Sequence, residues 1–247
     1  MEENTNRPVS QFATTQWTLV WKAAEEDSQH GRPALAEVIR RYWRPLYGFA
    51  RYRGLSSEDA EDATQEFLGS ILDGRLLDEA DPAKGKFRTY LLTAWKRFLV
   101  DEFRKKSAVK RGGEAKIMSL DVSSGENSFT SLQSKTPDPD QAFMVSWANS
   151  LLEDVKERLR SDYQQRDKGA VFDLLFPMLT HKLDASQYIL LSKQLAVSNS
   201  AAKVAMHRLR QRFGNCLREV VQETVDDPQE IDSEINELLK VFSLRER

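Results

Sequence analysis

Apolar residues recur at three- and four-residue intervals over most of this chain, and nowhere does a useful run alternate apolar with polar. Such spacing gathers side chains on one face of a helix, whereas a strand repeats every second residue. The expected fold is therefore all-α. Trp17, Val20, Trp21 and Ala24 mark a first helix over 15–24, and Leu35, Val38, Ile39 and Tyr42 mark a second. Pro45 is expected to break that second helix or start a fresh one before Leu46, Phe49 and Ala50, because proline lacks an N–H. Tryptophan and tyrosine at these spacings read as core. Gly54 closes the element, and Ser56 reads as the N-cap of the next, with Glu58 and Asp59 in the first turn where they complement the helix dipole. Ala60, Ala63, Phe67 and Ile71 form the buried stripe of that helix.

Charge is sorted by region. Residues 84–111 hold ten Lys or Arg against Asp101 and Glu102, a net +8 in a protein whose total is −2. Phe87, Leu91, Ala94, Trp95 and Phe98 keep helical spacing and make an apolar seam, leaving Thr89, Thr93, Lys96, Arg97 and Arg104 on the outer side. Two readings fit: a solvated basic helix, or a surface that stacks on bases and neutralises phosphates of a single strand. Just before it, Asp59, Asp62 and Glu66, with Glu61 and Gln65 alongside, share the polar face of the preceding helix. That face is a solvated surface, a docking surface for a basic partner, or a divalent-metal site lacking any nearby histidine.

From 107 to 141 the periodicity fails. Gly112, Gly113, Ser123, Ser124, Gly125, Pro137 and Pro139 punctuate the segment, which reads as an extended linker. Helical spacing resumes at Phe143, Trp147, Leu151, Leu152, Val155 and Leu159, and again over 171–179. Two short helices then flank a tight turn at Val197 and Ser198. Tyr188, Leu191 and Leu195 line the first, and Ala202, Met206, Leu209 and Phe213 the second. The layout is that of a helix-turn-helix. Its second helix carries Lys203, His207, Arg208, Arg210 and Arg212, and no acid occurs from 198 to 218. A packing-only hairpin is the alternative to a DNA reader. Beyond that the sign reverses: 219–247 holds nine acids and three bases, with Ile231, Ile235, Leu238 and Leu239 at helical spacing.

A length of 247 residues accommodates one large or two small domains. Cys216 is the only cysteine, which excludes an internal disulfide and a thiolate cluster, and it reads as a buried structural thiol. His30, His181 and His207 are too scattered for a histidine-based zinc site. No cofactor and no metal are expected. No apolar run approaches the roughly 18 residues of a membrane span, and the first thirty residues are polar. The expectation is a cytoplasmic protein without membrane insertion.

The order acidic helix, turn-rich loop, basic aromatic helix, linker and helix-turn-helix resembles the sigma-70 family of bacterial transcription initiation factors, in the two-domain form of the extracytoplasmic-function (ECF) group. The strings RPLYGFARYRGLSSEDAEDATQEFL, GKFRTYLLTAWKRFLVDEFRKK, KRGG followed by SLD, and VSNSAAKVAMHRLRQRF look like a planctomycete and myxobacterial-type subgroup. Departures from the pattern are Tyr90 for tryptophan, Trp95 for a small residue, Arg97 for asparagine, and Ser192 and Ala196 for alanine and glycine.

The resemblance implies a non-enzymatic factor that binds core RNA polymerase and promoter DNA as a monomer. Its implied units are 1–106 (region 2-like), a linker over 107–141, 142–225 (region 4-like) and an acidic tail helix over 226–247. Polymerase docking falls on Asp59, Asp62, Gln65 and Glu66. The melted minus-ten strand falls on Lys86, Arg88, Tyr90, Lys96, Arg97, Arg104 and Lys105, and the minus-thirty-five duplex on Ser198, Ser200, Lys203, His207, Arg208 and Arg212. An anti-sigma protein or regulatory kinase is a conceivable further partner, and the acidic tail is a candidate to fold over the basic helices. The rival reading is a stand-alone helix-turn-helix regulator, which would have no evident need of the acidic and basic helices. A magnesium-dependent nucleic-acid enzyme built on Asp59, Asp62 and Glu66 is the third.

Overall fold

Helix is the only regular structure among the described residues, 31–72, 85–108, 122–133, 138–225 and 227–243, of the computed structural model. In chain order the helices are α1 (Gly31–Tyr52), α2 (Ser57–Leu72), α3 (Phe87–Ala108), α4 (Val122–Gln133), α5 (Pro139–Gln165), α6 (Gly169–Leu175), α7 (Ala185–Gln194), α8 (Asn199–Gln222) and α9 (Ile231–Ser243). The all-α expectation holds. The helix expected over 15–24 lies outside the described residues, as do residues 73–84.

Two elements differ from the sequence reading. Pro45 sits inside α1, which runs through it as one helix. A mid-helix proline costs about 3 kcal/mol. Tyr42, Leu46, Tyr47 and Phe49 around it are all buried, and burying one large apolar side chain contributes about 1.5–3 kcal/mol, so packing outweighs the lost hydrogen bond. The second difference is α4, which stands within the segment expected to be extended. Gly125 lets it lie close against α1, where a Cβ would come 2.9 Å from Tyr47 Cδ1 and 3.1 Å from Trp43 Cζ3. Next to it, the Tyr47 hydroxyl and Arg51 Nε each donate to Glu126 Oε1 at 2.5 Å. Phe129 is buried edge-on against Tyr52, with the Arg51 guanidinium 5.0 Å from its ring centre. Contacts to α1 hold this helix, and they leave no apolar periodicity in its own sequence.

Ends form where the residues suggest. Gly54 takes a positive φ of 91° after α1, a conformation open to glycine at little cost. Asp59 N–H then donates to Ser56 Oγ at 3.1 Å, capping α2. Asp138 caps α5 by accepting from Asp140 N–H, with Pro139 in the first turn, where a missing N–H costs nothing. Asp184 and Gln187 close a reciprocal capping box on α7, at 2.8 and 2.9 Å.

The core is continuous from α1 to α8, with α5 at its centre. Phe143, Trp147, Ala148, Leu151, Val155 and Leu159 of α5 are buried, and the helix packs along α1 and α8. A group of charges sits at the same joint. Arg41, whose side chain has no exposed surface, reaches Glu37 at 2.6 Å, Asp154 at 3.3 Å and Glu223 at 2.5 Å. Arg158 also holds Glu223, at 2.7 Å.

Candidate nucleic-acid interface

The polar face of α2 follows from what its other face buries. Ala60, Ala63, Phe67, Leu68 and Ile71 turn inward, which leaves Asp59, Asp62 and Glu66 exposed together. Gln65 departs from the expectation: its side chain is buried, and its amide donates to Glu61 Oε1 at 2.9 Å. It lies one residue round from Glu66, on the flank of the core stripe. Among the described residues no three His, Cys, Asp or Glu side chains form a group that could hold a metal ion.

Helix α3 presents an aromatic inner seam and a cationic outer side. Phe87, Leu91, Ala94 and Trp95 are buried. Trp95 lies 4.8 Å from Phe67 and stacks on Phe98 at 5.6 Å between ring centres, so this residue is core. Arg97 and Arg104 are exposed, while Tyr90 and Lys96 are half-buried. Lys96 pairs with Asp140 at the start of α5 and lies 5.9 Å from the Phe49 ring centre. Lys105 lies in the last part of α3, its side chain outside the described residues. Phe103 is 76% exposed beside the exposed Val100. Its signal in the sequence is a phenylalanine five residues beyond Phe98, off the seam.

At the start of α3 the expected DNA-contacting cations are engaged within the chain. Arg88 is only 4% exposed, with its guanidinium 4.5 Å from the Trp147 ring centre. Its Nη1 pairs with Glu234 Oε1, and its Nη2 donates to Glu234 Oε2 at 3.1 Å and Glu237 Oε2 at 2.7 Å. Lys86 Nζ donates to the same two carboxylates, at 2.5 and 2.9 Å. Burial works against the charge on Lys86, but the two glutamates outweigh it and hold the ammonium above its ordinary pKa. Burial likewise works against Glu237, and Lys86 with Arg88 holds it below the ordinary carboxylate value. Arg88 thus stands inside the packed structure, engaged by carboxylates of the same chain. The cause is Glu234, which shares a helical face with Ile231, Ile235 and Leu238 and is fully buried. An acid inside an apolar stripe was the available sequence signal.

Helices α7 and α8 are joined by a turn over 195–198. Leu191, Ala202, Met206 and Leu209 are buried between them. Ser198 caps α8 by accepting from Ala201 N–H at 3.2 Å. Ser198, Ser200, Lys203, His207 and Arg208 are all exposed around the first half of α8. Arg212 is half-buried, donating to Asp162 at 2.9 Å with its guanidinium 5.3 Å from the Tyr163 ring centre. Its pairing sets it apart from the exposed row. Arg210 donates to the carbonyls of Leu179 and His181 and so braces the loop before α7.

Residues 38–109, which carry most of α1 with α2 and α3, match the family model for Sigma-70 region 2. The likeness is to that region alone and covers that segment of the chain. Comparison with curated proteins gives no match, and comparison with solved structures gives none. Among the described residues no helix is long and apolar enough to cross a membrane.

Proposed function

We propose that this chain is a promoter-specificity factor of the ECF group, acting on core RNA polymerase in the cytoplasm, with catalysis left to the polymerase. The observation that carries the reading is the Sigma-70 region 2 match over 38–109. In this reading Asp59, Asp62 and Glu66 form the polymerase-docking face, with Gln65 shaping it from beneath. Lys86, Arg88, Tyr90, Lys96, Arg97, Arg104 and Lys105, with Phe103 as an added stacking surface, hold the melted minus-ten strand. Aromatic faces bind any base, and cations bind the backbone, which suits an opened strand. Ser198, Ser200, Lys203, His207 and Arg208 read the minus-thirty-five duplex from α8, as a recognition helix does in the major groove.

Run-off transcription with core polymerase and genomic fragments tests the proposal. Discrete transcripts that depend on the added chain are expected, and their starts define the promoter. Absence of any chain-dependent transcript, together with a footprint made by the chain alone, would replace the reading with that of a stand-alone regulator. Reversing Asp62 and Glu66 to lysine should weaken polymerase binding about tenfold or more at moderate salt, since complementary surface charge sets on-rate and specificity. Pull-down titration measures it, and an unchanged dissociation constant would remove the docking assignment.

A further inference from the structure

We infer that α9 is an internal polyanion mimic that occupies the strand-holding end of α3 and leaves the duplex-reading row of α8 open. This rests on the reading of α3 as the helix that holds a single strand. Two carboxylates, Glu234 and Glu237, cover Lys86 and Arg88 with the chemistry a phosphate backbone would offer: anionic oxygens at hydrogen-bond distance from an ammonium and a guanidinium. The helix that supplies them is fixed elsewhere. Leu238 is buried, α9 packs on α5 and α8, and Arg218 Nη1 and Nη2 both donate to Asp232 at 2.6 Å.

Coverage is selective. Lys203, His207 and Arg208 remain exposed while Lys86 and Arg88 are taken up. Selectivity separates this device from a generally acidic tail, which would oppose all DNA alike. The energetics suit a reversible plug: a buried ion pair loses in desolvation much of what it gains in attraction. A strand offering several phosphates together can therefore compete for the same cations. Displacing α9 would also free Arg88 from its place between Glu234 and the Trp147 ring.

The test uses the full chain without polymerase, with two probes: a fluorescent mixed-sequence single strand and a duplex of the same sequence. The variants are Glu237→Lys, whose carboxylate is half-exposed, and Glu234→Gln with Glu237→Gln, which keeps the buried shape. Glu230→Lys, on an exposed residue ahead of α9, controls for net charge. If the plugged form outweighs the open one by about ten to one, opening raises apparent single-strand affinity about tenfold. Two freed cations steepen the salt dependence by about 1.4 in log–log slope. Expected, then, is a large gain for the single strand and less than about a twofold change for the duplex, with Glu230→Lys moving both probes equally and little. Unchanged single-strand affinity in both folded variants would overturn the inference, as would an equal gain on both probes. Because polymerase is absent, failure here leaves the transcription result standing, and failure of transcription leaves this measurement interpretable.

Discussion

Ala196 carries a φ of 52° in the turn between α7 and α8. A Cβ in this region costs about 1–2 kcal/mol, and glycine does not bear that cost. Ala196→Gly is expected to stabilise the protein by about 1 kcal/mol, read as a higher urea midpoint at unchanged slope. A fall in the midpoint would show that the turn is not strained. The sequence flagged this position because the resemblance puts glycine there, and the backbone supplies the reason. Gly125 shows the opposite case. Its place in a Ser- and Gly-rich run suggested only a loop, yet a side chain there would meet two packed rings. Gly125→Ala should destabilise by about 1–3 kcal/mol, the usual penalty for overpacking, in thermal or chemical melts. Gln65 and Arg88 were legible as polar residues on helices. Which flank of the helix each would occupy depended on neighbours distant in the chain.

At the level of elements, helices with their own apolar stripe were readable in advance: α2, α3, α5 and α8 bury most of the residues their spacing picks out, with Phe98, Leu152 and Phe213 half-buried. Helix α4 was not, because the groups that fix it belong to α1. That dependence makes a prediction. Glu126→Ala removes the acceptor for Tyr47 and Arg51, so amide exchange in α4 should rise at least about tenfold while α2 and α3 keep their protection. Equal protection in α4 before and after the change would mean that Phe129 alone holds it. Continuity of α1 through Pro45 was likewise hidden, since the strength of packing on both sides of a proline is a tertiary quantity.

For the molecule as a whole, acid should loosen the joint between its two halves. Burial opposes the charges on Glu37, Glu223 and Glu237, yet hydrogen bonds from Arg40, Arg41, Arg158 and Lys86 prevail and hold all three below their ordinary 4.5. A carboxylate with a lowered folded-state pKa contributes stability that is present above its unfolded value and is lost as pH falls through the folded one. The melting temperature should therefore stay nearly level from neutral pH down to about 5 and drop below about 4.5, with salt reducing the size of the step. A level profile down to pH 3.5 would mean that these pairs contribute nothing to folding.

The seam between the proposed functions is not a seam in the core. Phe143, Trp147 and Leu151 belong in sequence to the half proposed to read duplex, yet their helix lies along α1. A fragment beginning at Asp138 would carry those aromatic and aliphatic faces into water with nothing to cover them, and large exposed apolar patches drive association. Produced alone, such a fragment is expected to be poorly soluble, and supplying residues 1–133 in trans should restore it to solution. Heredity of the two halves is then tied: neither can be exchanged for a foreign counterpart unless the partner brings a matching groove for α5.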